Sequence, residues 1–234
     1  MPSNFVIIVA AGSGSRIGSN LPKQFLLLED KPILMHTLQK FAESKTNPDI
    51  ILVLSASMID LWKGLCQQYN FKQPHNIAIG GDSRFQSVRN GINFIKDVIG
   101  LNPNSKIAVH DGARPLIKPD LIDQLYDKCQ PNLPAIIPAV QSTNSVRIGN
   151  QEENKAIERE SVWLVQTPQV FMSDLLIKAY KQPEEVYFTD DASVVEKLSN
   201  NLYLFPGDQH NLKITYEEDI AIAQQLCNKS KRFL

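Results

Sequence analysis

Phe5-Val6-Ile7-Ile8-Val9-Ala10-Ala11-Gly12-Ser13-Gly14-Ser15-Arg16-Ile17-Gly18 is the stretch on which the architecture turns. A β-branched apolar run ends abruptly in small residues and glycines, the pattern of a strand whose carboxyl end enters a tight loop. Glycines in that place let backbone N–H groups approach a phosphate without interference from a Cβ. The spacing matches neither common phosphate fingerprint. Gly12, Gly14 and Gly18 give G-x-G-x-x-x-G, one residue longer than a dinucleotide loop, and no G-K-[ST] follows. Two cations flank the loop instead, Arg16 and, in Pro22-Lys23-Gln24-Phe25, Lys23. A triphosphate carries several negative charges, and cations beyond an amide cradle neutralise them. A plain solvated turn needs the glycines but not the two cations.

Outward from this stretch the same rhythm continues. Strands are expected at Phe5–Ala10, Ile50–Leu54, Asn76–Ile79, Lys106–His110, Ala135–Val140, Val162–Val165 and Tyr203–Phe205. Between them, helices are expected at Pro32–Glu43, Met58–Tyr69, Arg84–Asp97, Pro119–Cys129, Ser173–Lys181, Asp191–Leu198 and Glu217–Cys227. Pro32 and Pro119 suit first-turn positions, where a missing N–H costs nothing. This alternation predicts an α/β, Rossmann-like fold with a mostly parallel sheet and helices on both faces, one domain over residues 1–234. From Gln141 to Glu160 the rhythm breaks into a polar stretch rich in Ser, Asn and Glu. The Val146-Arg147-Ile148 alternation reads either as a protruding β-arm over 141–160 that reaches a partner subunit or as a surface loop.

Composition narrows the function. At 234 residues with 43% hydrophobic and 21% charged residues, the chain can bury a core without staples. A formal charge of −1 leaves no basic stripe for nucleic acid, so anion binding must come from a few placed cations. Cys66, Cys129 and Cys227 form no C-x-x-C pair, which argues against structural zinc and for a reducing compartment. The first run is too short for a signal-peptide core or a membrane span, so the expectation is a cytoplasmic protein with no membrane attachment.

Two further motifs fall at strand ends. Gly80-Gly81-Asp82-Ser83-Arg84-Phe85-Gln86-Ser87-Val88 opens a helix with Asp82 or Ser83 as N-cap, where polar groups can read a base edge or a ribose. Val109-His110-Asp111-Gly112-Ala113-Arg114-Pro115 brings a carboxylate and a guanidinium to one edge. Asp111 could hold Mg²⁺ on a triphosphate, directly or through water, and Arg114 could clamp a phosphate. An Asp–Arg ion pair that shapes the loop is the plainer reading of the same two residues. Later come Gln166-Thr167-Pro168-Gln169-Val170-Phe171, Thr189-Asp190-Asp191-Ala192-Ser193 and Asn211-Leu212-Lys213-Ile214-Thr215, with Lys213 expected in a strand.

In this order the motifs A-A-G-S-G-S-R, P-K-Q, G-G-D-S-R-x-x-S-V, H-D-G-A-R-P, Q-T-P-Q-x-F, T-D-D-A-S and N-L-K-I-T resemble the 2-C-methyl-D-erythritol 4-phosphate cytidylyltransferase family over residues 10 to 215. The resemblance implies that Arg16, Lys23 and Lys213 are the catalytic cations. It implies that Ala10, Ala11, Gly12 and Gly14 embrace the CTP triphosphate with Arg16 and Lys23. Gly81, Asp82, Arg84 and Ser87 would hold the cytidine end, and Asp111 and Gly112 the junction with the acceptor. Arg114, Thr143, Arg159, Thr167 and Thr189 would hold the polyol phosphate, Thr143 and Arg159 reaching across a homodimer. The pair after the central Asp is often Ala-Ala in the family and is Gly112-Ala113 here. His210 stands where an acidic residue can occur. Ribitol 5-phosphate cytidylyltransferases share the scaffold, and Asp-Asp-Ala-Ser with the Arg159–Trp163 stretch favours the methylerythritol branch.

The implied reaction is in-line attack by the acceptor phosphate on the α-phosphorus of CTP, with pyrophosphate leaving. A phosphate dianion is already a nucleophile, so positioning and charge stabilisation are the whole task. A silent nucleotide-binding module would have lost Arg16, Lys23 or Lys213, and all three are present. An NAD-dependent oxidoreductase is disfavoured by the glycine spacing and by Ser55-Ala56-Ser57 where an acidic ribose anchor belongs.

Overall fold

In the computed structural model, residues 3–12, 21–102, 104–199 and 201–232 are described, with side chains to residue 228. Strand β1 (Asn4–Val9) is apolar from Phe5 to Val9, as a strand covered on both faces must be. Its alternate residues divide between two cores. Val6 and Ile8 point to one side with Leu34, Leu38 and Phe41, while Phe5 and Ile7 point to the other with Val88 and Ile92. Beside β1 run β4 (Asp49–Leu54) and β6 (Lys106–Asp111), both parallel to it, and β5 (Asn76–Ile79) lies parallel outside β4. The first core packs α1 (Ile33–Ala42), α2 (Ile59–Gln68) and α4 (Pro119–Lys128) on the sheet. The second packs α3 (Arg84–Phe94), α5 (Ser173–Ala179) and α6 (Asp191–Glu196). Helices on both faces of a largely parallel sheet are the arrangement expected from the sequence.

Beyond β6 the sheet changes direction. Strand β11 (Gln169–Met172) inserts antiparallel between β6 and β7 (Ala135–Gln141). Strands β10 (Trp163–Val165) and β12 (Tyr203–Pro206) also pair with β7, the first antiparallel and the second parallel. Sequence reasoning did not foresee β11, because its four residues follow the polar Gln166-Thr167-Pro168 and carry no alternation. All four are nevertheless buried, against both flanking strands. The Val146-Arg147-Ile148 alternation is a two-stranded hairpin, β8 (Val146–Gly149) with β9 (Asn154–Ile157), so the arm is built of strands.

Several expected boundaries move. Pro32 closes the short strand β3 (Lys31–Pro32), paired with β2 (Leu27–Leu28), and α1 starts one residue later. Pro119 does open α4. The helix expected to Asp97 leaves α geometry at Ile95 and closes with a π turn over Ile95–Ile99. Lys213 lies in no strand. Its segment is irregular chain, tied by Ile214 N–H to Ala113 O at 2.9 Å. Ile214 is fully buried with Leu28, Ile33 and Ala223 of α7 (Glu218–Arg232), which fixes the lysine's place without a strand.

Candidate active site

The parallel strands end in register, Val9 opposite both Val53 and Asp111, and Leu54 opposite Ile79. The backbone therefore turns away at one edge, in a row of loops at Ala10–Gly12, Gly80–Ser83 and Asp111–Arg114. Open α/β sheets bind ligands at such an edge. Two adjoining clefts open there. The smaller, about 310 Å³, is lined by Ala10, Ala11, Gly12, Lys23, Gly81, Asp82, Ser83, Arg84, Ser87 and Gly112. The larger, about 480 Å³, is lined by Arg114, Thr167, Thr189, Gln166, Ser193 and, at its apolar end, Ile137 and Leu204. Arg84, Asp111 and Lys213 line both.

Asp111 sits on the boundary with only 11% of its side chain exposed. Lys213 Nζ lies 3.0 Å from Oδ2, Arg114 Nε 3.2 Å from the same oxygen, and Arg84 Nε 3.9 Å from Oδ1. Burial alone would raise this carboxyl's pKa. The charges of Lys213, Arg84 and Arg114 outweigh it and hold the group ionised, below the usual carboxylate range. The plain ion pair between Asp111 and Arg114 is therefore present, and it is one leg of a larger cluster.

Arg84 is oriented from behind. Its guanidinium makes a two-pronged contact with Asp191, Nη1–Oδ1 at 3.0 Å and Nη2–Oδ2 at 2.6 Å, and Tyr180 O–H donates to Asp191 Oδ1 at 2.6 Å. Burial works against the charged guanidinium, but Asp191 more than compensates, so its pKa is raised. The Tyr180 phenol is pushed well above its ordinary value, first by burial and then by the Asp191 charge. Asp191 stood inside T-D-D-A-S in the sequence with no role; full burial at the first position of a helix was the missed feature.

The loop after β1 is braced by Gln24, which follows Lys23 in a single 3₁₀ turn. Its Nε2 donates to Ala10 O at 2.7 Å and Gly12 O at 3.1 Å, and the residue is buried. Sequence reasoning gave the Pro-Lys-Gln triplet's role to the lysine alone. Ser83 caps α3, accepting from Gln86 N, which decides between the two cap candidates. The resemblance assigns Ser87 to the cytidine end, and in the structure its hydroxyl is engaged within the turn. Its Oγ accepts from Gly81 N at 3.1 Å and lies 3.4 Å from Gly81 O, so it holds the turn. Gly80 must lack a side chain, since a Cβ there would lie 2.6 Å from that of Ala11.

Of the predicted site residues, Gly14 and Arg16 lie outside the described residues. Thr143 and Arg159 do not reach these clefts. They sit together on the arm, Arg159 Nη1 bonded to Thr143 O at 3.4 Å and Nη2 to Glu160 at 3.3 Å, with both residues exposed. The other predicted residues come to one edge.

Among the described residues no group of three or more His, Cys, Asp or Glu side chains could hold a metal. Asp111 lines both clefts and is the carboxylate that a cation bound mainly through polyphosphate oxygens, the mode Mg²⁺ favours, would meet there.

Fold and site define an α/β protein with a two-chambered, cation-rich cleft at the carboxyl edge of its sheet. The family model "IspD: 2-C-methyl-D-erythritol 4-phosphate cytidylyltransferase" matches residues 4–229, and the chain belongs to that family. A 2-C-methyl-D-erythritol 4-phosphate cytidylyltransferase of Azobacteroides pseudotrichonymphae is 46% identical over 228 residues, 97% of this chain and 99% of the relative. One from Phocaeicola vulgatus is 41% identical over 221 residues, 94% of this chain and 98% of the relative. The crystal structure of 4-diphosphocytidyl-2C-methyl-D-erythritol synthase from Anaerococcus prevotii superposes with a TM-score of 0.79 at 26% identity, covering 97% of this chain and 96% of that one.

Proposed function

We propose that the protein transfers CMP from CTP to 2-C-methyl-D-erythritol 4-phosphate, giving 4-diphosphocytidyl-2-C-methyl-D-erythritol and pyrophosphate. The observation that carries the reading is the Asp111 cluster, one ionised carboxylate gathering Lys213, Arg114 and Arg84 where the two clefts meet. Two anions, a nucleoside triphosphate and a phosphate monoester, repel one another and react only where cations stand between them. CTP occupies the smaller cleft, with its triphosphate at Ala10, Ala11, Gly12 and Lys23 and its cytidine end at Gly81, Asp82, Arg84 and Ser87, while Gly14 and Arg16 keep the triphosphate role that the family resemblance implies. The acceptor occupies the larger cleft, its phosphate turned toward Arg114 and Lys213, with Thr167 and Thr189 on its walls.

An acceptor phosphate oxygen attacks the α-phosphorus in line as the bridging oxygen to the β-phosphorus departs on pyrophosphate. No proton has to be removed first, which suits a site whose neighbouring imidazole, His110, is buried and engaged. Asp111, beside Gly112 at the junction, would hold a divalent cation such as Mg²⁺ together with the triphosphate's own oxygens, and that cation would supply charge neutralisation there. The working unit is a homodimer in which the 141–160 arm of one chain brings Thr143 and Arg159 to the other's acceptor cleft. Exposed Trp163, Leu164 and Tyr203 at the arm's end of the sheet support it, because apolar strands there need a cover. No described helix is long and apolar enough to cross a membrane, and this reading assigns the protein to the cytoplasm.

The test is pyrophosphate release from CTP with methylerythritol phosphate against ribitol 5-phosphate. A kcat/KM at least tenfold higher for methylerythritol phosphate is expected. Equal or reversed preference removes the acceptor assignment, and no release with either removes the transfer.

A further inference from the structure

His110 is fully buried, yet every edge of its ring is used. Nε2 lies 3.2 Å from Arg114 O, Nδ1 lies 3.0 Å from Thr167 Oγ1, and the ring packs edge-on against Phe41 at 5.0 Å. A carbonyl oxygen can only accept, so Nε2 must carry the proton. Buried, with a carbonyl and a hydroxyl rather than a carboxylate on its two nitrogens, the ring is neutral, which leaves Nδ1 as an acceptor, and the Thr167 hydroxyl must donate to it. The threonine oxygen still accepts from Asp111 N–H at 3.1 Å. Its single proton is committed inward.

The hydrogen bonds close into a ring. Thr167 donates to His110, and His110 donates to Arg114 O. Arg114 Nη1 donates to Asn211 O at 2.8 Å, and Asn211 Nδ2 donates back to Thr167 O at 2.8 Å. Each link joins a different loop of the catalytic edge: the end of β6, the turn at Arg114, the chain before β11 and the chain leading to Lys213. Asp111 hangs from this ring through its own N–H and through Arg114, and Lys213 stands two residues beyond Asn211. We infer that His110, as a neutral Nε2–H imidazole, is a positioning residue that aligns Asp111, Arg114 and Lys213, and that Thr167 acts as its hydrogen-bond partner rather than as a donor to substrate.

The inference deepens the cytidylyl-transfer reading and rests on it for its kinetic arm. Its spectroscopic arm does not. Nitrogen-15 NMR of the ring in the full chain without substrates should show one neutral tautomer protonated at Nε2. A ring protonated at Nδ1 overturns the inference whatever the enzyme does.

In the kinetic arm, His110→Phe keeps the ring packed on Phe41 and removes both nitrogens. It should lose roughly a hundredfold in kcat, the cost of a misplacement near 1 Å, with the KM for CTP within about threefold. His110→Gln, whose amide can restore the donor to Arg114 O, should regain at least tenfold. Thr167→Val should lower kcat without raising the acceptor KM, and the double variant His110→Phe/Thr167→Val should be no worse than the poorer single. Wild-type kcat in folded His110→Phe overturns the positioning role. Additive losses, or a large rise in acceptor KM in Thr167→Val, overturn the shared ring and return Thr167 to the substrate. If the variants unfold, thermal denaturation shows it, and the tautomer measured on the wild-type chain decides alone.

Discussion

Asp111 is the residue through which the charges of the site communicate. Its pKa is held below the ordinary carboxylate range because Lys213, Arg84 and Arg114 outweigh its burial. A carboxyl depressed on folding contributes stability that is present above its unfolded pKa and is lost as pH falls through the lower folded value. The wild-type chain should therefore exceed Asp111→Asn in melting temperature near neutral pH, and the gap should close as pH falls below the usual carboxylate range. A gap constant across that window, measured by thermal denaturation from neutral to strongly acidic pH, would mean that the three cations do not stabilise the charge. Lys23 makes a different residue-scale prediction. It is half-buried, lines the smaller cleft and belongs to a turn whose brace is the neighbouring Gln24. Lys23→Ala should lose on the order of a hundredfold or more in turnover, the usual cost of a removed charge donor, while circular dichroism stays that of the folded chain. Wild-type turnover in the folded variant removes Lys23 from the transfer.

At the scale of elements, the proposed transfer gives the turn between β5 and α3 the task of selecting the base, by what its backbone has left to offer. Gly81 N–H is taken by Ser87 Oγ and Asp82 N–H by Gln86 Oε1. With those two donors occupied, a carbonyl oxygen of the turn is the group expected to meet the base, and it would suit the amino group of cytosine and repel the carbonyl of uracil at the same position. Gly80, pressed against Ala11 and Ser87, brings that backbone close and leaves little room for a purine. CTP should exceed UTP, ATP and GTP in kcat/KM by about a hundredfold or more, since a mispaired polar group is left unsatisfied. Comparable values for CTP and UTP would take selection away from this turn. The turn was legible in the sequence because Gly-Gly followed by a capping serine is a local pattern. So were β1, β4, β5 and β6, whose apolar runs need no partner to be recognised. Strand β11 was not, since its two flanking strands make it a strand and its own polar start hides it. Lys213 was located correctly for the wrong reason, because an irregular segment anchored by Ile214 looks in sequence like a strand. His110, Asn211 and Asp191 stood in quoted motifs without roles. Their partners lie 57, 44 and 107 residues away, at separations over which no local pattern extends.

At the scale of the whole molecule, the open question is whether one chain makes a site. The cation cluster, both clefts and the ring through His110 belong to a single chain. Two residues the family resemblance assigns to the acceptor do not join them. Thr143 and Arg159 lie together on the exposed arm, bonded to each other, and Arg159 keeps half its side-chain surface open beside Glu160. Among the described residues the arginine so placed meets only the exposed carboxylate of its neighbour Glu160, whereas a second copy would offer its acceptor cleft. Trp163 and Tyr203, exposed on strands that flank β7, supply apolar surface for that copy to cover. The consequence can be tested without a structure of the dimer. Arg159→Ala and Lys23→Ala, each prepared alone, should be inactive or nearly so. If Lys23 and Arg159 of a working site come from different chains, a mixed dimer holds one site with both substitutions and one with neither. Random exchange of equal amounts makes half the dimers mixed, each with one good site of two, so about a quarter of wild-type activity should return, in line with the two-fold arithmetic of an isologous dimer. Recovery should grow with time of mixing at the rate of subunit exchange, followed by energy transfer between labelled chains. If exchange is complete and activity stays at the level of the single variants, Arg159 serves the chain that carries it, and the arm has to fold back onto its own cleft.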